Sequence, residues 1–246
     1  LVMGARPITF LDYIANDKLD PVVIKEIVTG MVRACKDTNV SLIGGETAEM
    51  PDTYLPGEHD LVGVITGVVE KNKIINGNLI APGDTILGLP SSGLHTNGYS
   101  LARKIFFDIG NYDINDYPEG LTSSVGLTLL EPHINYTNDI FTLLDRNIII
   151  KGMAHITGGG LIENIPRILP ENCTANINKG TWEILPVFNV MQLVGNIDET
   201  EMFRTFNMGI GMIIIASNDE ANSIKKLINV SEIGKIEEGE RGVKII

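Results

Sequence analysis

Residues 40–51 read Val40-Ser41-Leu42-Ile43-Gly44-Gly45-Glu46-Thr47-Ala48-Glu49-Met50-Pro51, and the change of character inside this stretch sets the reading of the whole chain. Val40 to Ile43 has the apolar, β-branched content of a buried strand. Gly44-Gly45 is expected to stop that strand and turn the backbone sharply, because glycine takes up such conformations without a steric penalty. Glu46 and Glu49 then project from the strand's C-terminal end. Clustered carboxylates there suit Mg²⁺, which takes oxygen ligands and is commonly shared with nucleotide phosphates. The same residues also fit a loop whose two acids are simply solvated.

Upstream, Ile8 to Leu11 is a short apolar run that predicts another buried strand. Asp20-Pro21 opens a helix: Asp accepts the first free N–H groups, and proline at the first helical position sacrifices no hydrogen bond. Val23, Ile27, Met31 and Ala34 follow at helical spacing to near Asn39. Downstream, Leu61 to Glu70 is a longer Val/Ile-rich strand. Asn76-Gly77 and Pro82-Gly83-Asp84 are turn signals, and the domain boundary is placed there, giving units 1–78 and 79–246. The second unit shows strands at Thr85–Leu89 and Met212–Ala216, and helices at Tyr99–Ile109, Asn135–Arg146 and from Thr157 to about Leu169. Ser217 and Glu220 suggest a capping box for a helix through Leu227. Strands and helices alternate irregularly, so the class is α/β or α+β, with two layers per domain.

Composition narrows the function. The 246 residues are 43% hydrophobic and 20% charged, with a net charge of −12. That charge repels a nucleic-acid backbone, and no basic cluster offsets it. No stretch approaches the ~20 apolar residues of a membrane span. Cys35 and Cys173 form no metal or disulfide pattern, which suits a cytoplasmic protein with reduced thiols. The chain opens on Leu1-Val2-Met3 without a leader or helix cap and is expected to begin inside a domain.

Three further segments depart from what a plain core needs. Ser91-Ser92-Gly93-Leu94-His95-Thr96-Asn97-Gly98-Tyr99-Ser100 lies between a strand and a helix and carries the hydroxyls and N–H groups of an anion site. It lacks the Lys-Ser/Thr of a P-loop. His95 reads equally as a general acid/base, a phosphate donor or a loop histidine bonded to backbone. His155-Ile156-Thr157-Gly158-Gly159-Gly160 has three consecutive glycines, either for approach to a ligand or for tight packing. Phe206-Asn207-Met208-Gly209-Ile210-Gly211-Met212 fails as a dinucleotide fingerprint, because Ile214 replaces its last glycine; a glycine-rich strand entry fits better. His59 and His133 read as surface histidines, Trp182 as core and Cys35 as structural.

Taken together, these blocks resemble the aminoimidazole ribonucleotide synthetase family. Glu46-Thr47-Ala48-Glu49-Met50-Pro51, the Ser91–Leu101 segment, Ala154-His155-x-Thr157-Gly158-Gly159-Gly160 with Glu163–Arg167, and Met202–Met212 all match in order. The resemblance implies an N-terminal mixed sheet contributing to a dimer barrel, a C-terminal α/β sandwich domain, and a homodimer. It implies ATP and Mg²⁺ as cofactors and a phosphorylated ribonucleotide substrate. It gives Gly45, Glu46, Thr47, Ser92 and Gly93 to ATP, Glu46 and Glu49 to the metal, and Thr157, Gly158, Gly159 and Gly160 to substrate. His95 and Asn97 become the catalytic residues. The family's glycine-rich, Asp-bearing N-terminal segment does not precede Leu1, so this chain alone is expected to be inactive. Where relatives carry Pro-Thr-basic-Ile-Tyr, Pro132-His133-Ile134-Asn135-Tyr136 stands, and the resemblance implies the loss of a phosphate contact at Ile134. Other ATP-using enzymes of this architecture, and a non-catalytic scaffold, are the competing readings.

Overall fold

The computed structural model describes residues 1–246 and divides into two compact units, one of Leu1 and Met3–Ile74, the other of Val2 and Ile75–Ile246. In the first unit, strand β1 (Arg6–Asn16) leads into helix α1 (Pro21–Asp37), then strands β2 (Ser41–Glu49) and β3 (His59–Val68). Asp20 caps α1 by accepting the Val22 N–H at 2.8 Å, as its sequence position predicts. The sheet order is β2-β1-β3; β1 runs parallel to β2 through the α1 crossover and antiparallel to β3.

The glycine pair does not end β2, and this corrects the sequence expectation. Phe10 pairs with Leu42 and Leu11 with Gly44, leaving Ile43 as the extra residue of a bulge. Gly44 takes it up at φ 152°, and pairing resumes to Asn16 and Glu49. At Gly45 a Cβ would overlap the carbonyl oxygen and carboxylate of Asp12. The glycines therefore let the strand pass close to its neighbour rather than turn away.

The second unit contains a six-stranded sheet. Its elements are β4 (Thr85–Pro90), α2 (Tyr99–Arg103) running on as a π-helical turn (Lys104–Ile109), α3 (Val125–Leu129), α4 (Thr137–Leu144), β5 (Gly152–His155) and α5 (Gly160–Asn164). There follow β6 (Cys173–Ile177), α6 (Pro186–Gly195), α7 (Glu199–Thr205), β7 (Ile210–Ala216), α8 (Asn218–Ile224), β8 (Ser231–Glu238) and β9 (Gly242–Ile245). The sheet order is β5-β7-β4-β8-β6-β9, antiparallel throughout except for β6–β9. Every residue of β7 is buried. Ile213 and Ile215 join the core of Phe106, Phe188, Phe203 and Phe206, while Met212 and Ile214 point to the opposite face and are buried there. A continuous apolar run marks such a strand. The sheet is thus covered on both faces, in place of the expected two layers.

Candidate active site

In the first unit the predicted acidic pair sits within β2. Glu46 pairs with Tyr13 and Glu49 with Asn16. Side chains alternate along a strand, so two residues three apart point to opposite faces. Glu46 and Glu49 therefore cannot share one metal ion, a correction to that assignment. Glu49 is committed locally, Oε2 accepting the Leu19 N–H at 2.8 Å. Glu46 is exposed, with its Oε1 3.1 Å from the Thr47 N–H. Gly45 and Thr47 flank it on the same exposed strand.

In the second unit the loop after β4 is held by a residue that the sequence reading passes over as packing. Asn207 is buried, and its Oδ1 accepts from the Ser91 hydroxyl at 2.7 Å and the Gly209 N–H at 2.9 Å. Its Nδ2 donates to the Gly93 carbonyl at 2.8 Å. Beside Gly211, the strand entry leaves no room for a Cβ, which would meet the Tyr136 hydroxyl and the His95 ring. Ser92 and Gly93 line a cavity of about 440 Å³ together with Thr122, Ser123, Thr128 and Glu131.

His95 is fully buried with φ 52°. Its Nε2 accepts from the Ser92 N–H at 3.0 Å and the Ile134 N–H at 3.3 Å, so the neutral ring carries its proton on Nδ1, which has no hydrogen-bond partner. Burial, with the neighbouring His133 and His155 adding, pushes its pKa down to about 3. The ring is buried and its Nε2 is engaged by backbone N–H groups, so in this structure His95 is a fixed acceptor that organises its loop. His133 is likewise no surface histidine. It stacks on His95 with 4.1 Å between ring centroids, and its Nε2 lies 3.1 Å from His155 Nε2. Burial lowers the pKa of both His133 and His155.

Asn97 bridges two of the predicted segments. Its Nδ2 donates to the His95 carbonyl at 2.7 Å, and its Oδ1 accepts the Gly158 N–H at 3.0 Å. The glycine turn is pinned from below by Asn164, another residue missed in sequence. Asn164 Nδ2 donates to the carbonyls of Thr157, Gly158 and Gly160, and its Oδ1 accepts the Thr157 hydroxyl at 3.2 Å. The three glycines differ in what they do. Gly160 has φ 55° and lies against the Phe203 and Phe206 carbonyls, so close packing requires glycine there. Gly159 has φ 99°, beside the Glu163 side chain. Gly158 is exposed and open, with only Asn97 Oδ1 near, at 3.9 Å from a Cβ position.

Residues 1–69 match the N-terminal domain, and residues 81–246 the C-terminal domain, of AIR synthase related proteins. The phosphoribosylformylglycinamidine cyclo-ligase of Thermoanaerobacter pseudethanolicus is 48% identical over 248 residues, covering 99% of this chain and 73% of that protein. That of Citrifermentans bemidjiense is 44% identical over 254 residues, covering 100% of this chain and 73% of its own length. Among solved structures, hydrogenase maturation protein HypE in complex with ATP superposes with a TM-score of 0.71 at 17% identity, over 99% of this chain and 71% of that one. Thiamine-monophosphate kinase from Stenotrophomonas maltophilia superposes at 0.70 and 17%, over 99% and 73%. At that identity these structures show the fold alone.

Proposed function

The chain belongs to the AIR synthase family of phosphoribosylformylglycinamidine cyclo-ligases, and from that premise we propose how its residues divide the reaction. The activity is ATP-dependent closure of the imidazole ring of formylglycinamidine ribonucleotide, a step of de novo purine biosynthesis that gives aminoimidazole ribonucleotide, ADP and phosphate. Near-half identity to cyclo-ligases along the whole chain is the observation that carries it.

In this reading ATP phosphorylates the formyl oxygen, making it a leaving group, and a substrate nitrogen then attacks the activated carbon. The protein's work is positioning and charge neutralisation. The cavity wall that Ser92 and Gly93 line and the open Gly158, held in place by Asn207, Asn97 and Asn164, form the phosphate- and substrate-facing surface of the second unit, with the Ser92 N–H itself spent on His95. Thr157 and Gly159 extend it. In the first unit Glu46, flanked by Gly45 and Thr47, is the carboxylate free to hold Mg²⁺. No cluster of three acidic, His or Cys ligands exists to cage a metal, and Mg²⁺ is commonly held by one or two carboxylates plus substrate phosphates. When bound, it would supply charge neutralisation at the phosphates. Glu49 serves the β1–α1 connection instead. The exposed apolar edge of β3 supports the homodimer that the family resemblance implies. No helix is long and apolar enough to cross a membrane, and the two free cysteines suit the cytoplasm.

The test is ADP release dependent on formylglycinamidine ribonucleotide in the full-length protein and its Glu46→Ala variant. Turnover by the parent, reduced at least about tenfold in the variant, supports the reading and the place of Glu46. A folded parent that releases no ADP with substrate and Mg²⁺ present overturns it.

A further inference from the structure

Three imidazoles from separate stretches of sequence meet in the second unit, and the division of labour above puts none of them on the substrate. His133 and His155 face each other through Nε2 atoms 3.1 Å apart. Two lone pairs do not face each other at that distance, so in the neutral pair one Nε2–H donates and the other nitrogen accepts. His95 backs the His133 ring at 4.1 Å and 17° between planes, itself locked by the Ser92 and Ile134 N–H groups, so His133 has little freedom to turn. His155 is half-buried, ends β5, and leads through Ile156 to Thr157 and the open Gly158.

Resting on the cyclo-ligase reading, we infer that His155 is the base of ring closure and that His133 is its positioning residue. By accepting the His155 Nε2–H, His133 leaves the His155 Nδ1 lone pair free for the substrate. As the ribose-bearing amidine nitrogen bonds to the formyl carbon, the bond from that carbon to the phosphorylated oxygen breaks. Phosphate departs with the electron pair. The attacking nitrogen keeps the electrons of its N–H bond and gives the proton to His155 Nδ1. The imidazolium retains its Nε2–H on His133, now a charge-assisted bond, until the Nδ1 proton passes to phosphate or water. No oxidant, reductant or further reactant enters. Burial holds both rings toward the neutral form, which keeps the lone pair available near neutral pH.

Two measurements on the full-length protein decide the matter. ¹⁵N NMR of histidine-labelled wild type near neutral pH is expected to show the proton on Nε2 in His155 and on Nδ1 in His133; the reverse pattern overturns the assignment. In steady-state assays His155→Ala is expected to lower kcat by about 100-fold or more, with little change in KM for ATP and partial recovery on adding imidazole. His133→Gln, whose amide oxygen accepts the same hydrogen bond, should keep more kcat than His133→Leu. A His155→Ala kcat within about threefold of wild type, or a loss confined to KM, overturns the inference. Absence of substrate-dependent ADP release in the wild type overturns the cyclo-ligase reading and this step with it. A variant that fails to fold leaves the wild-type tautomers to decide.

Discussion

His95 Nε2 accepts from the backbone of Ser92 and Ile134, so a proton placed there breaks both bonds inside a dry site. The ordinary histidine value of 6.5 applies to the unfolded chain and about 3 to the folded one. The contribution is therefore whole above the unfolded value and shrinks as pH falls from there toward the folded value. Across that window the unfolded chain binds one more proton, and stability drops by about 1.4 kcal/mol per pH unit from this group. His133 and His155 are lowered too and act in the same direction. Urea unfolding of wild type and His95→Gln at a series of pH values checks this: the variant should show a slope shallower by about one proton. Equal slopes would exclude the buried neutral ring. Asn207 offers a second test at this scale. Asn207→Ala strands the Ser91 hydroxyl, the Gly209 N–H and the Gly93 carbonyl, for a loss of roughly 2–4 kcal/mol by urea unfolding. From sequence, His95 is legible as special because its loop breaks every propensity pattern, yet its role is not, since that depends on N–H groups from residue 134. His133 is not legible at all: its partner lies 22 residues along, at no recognisable spacing.

Elements show the same division. The Asp20-Pro21 cap and the β7 run are local properties, so they are legible, and the structure has α1 and β7 where the pattern puts them. The course of β2 through Gly44-Gly45 is not local, because it is decided by how close Asp12 on β1 comes. The glycine turn before α5 sets two uses of one residue type side by side. A Cβ at Gly160 would meet the Phe203 carbonyl of α7 at a positive φ, and backbone cannot yield. Gly160→Ala should therefore destabilise the second unit by more than about 2 kcal/mol, seen as a lowered Tm. Gly158 has open space and no such φ, so Gly158→Ala should leave stability within about 0.5 kcal/mol. If this turn faces substrate as proposed, the variant's kcat/KM should fall all the same, because the added methyl group projects into the open space beside it. Unchanged kcat/KM in Gly158→Ala would remove this turn from the active surface.

At the scale of the molecule, the sequence pattern identifies β3 as a strand and leaves its exposure open. Leu61, Val62, Val64, Ile65 and Val68 lie along it, each at least 46% exposed. β3 is an edge strand whose one neighbour is β1, and alternation puts Val62 and Val64 on one face, Leu61 and Ile65 on the other. A ten-residue edge that is apolar on both faces is an aggregation hazard unless another surface covers it. The net charge of −12 gives general repulsion between chains but acts weakly on so local a patch at ordinary ionic strength. A second copy presenting the same strand meets the requirement with a self-complementary interface. Lysine at Val64 and Ile65 together would place a charge on each face of β3, both changes lying in the sequence of the first unit. Sedimentation should then move from the mass of two chains to that of one, while the cooperative unfolding of the second unit stays as in the parent. A dimer that persists in the double variant would place the interface elsewhere and leave this edge to a different partner.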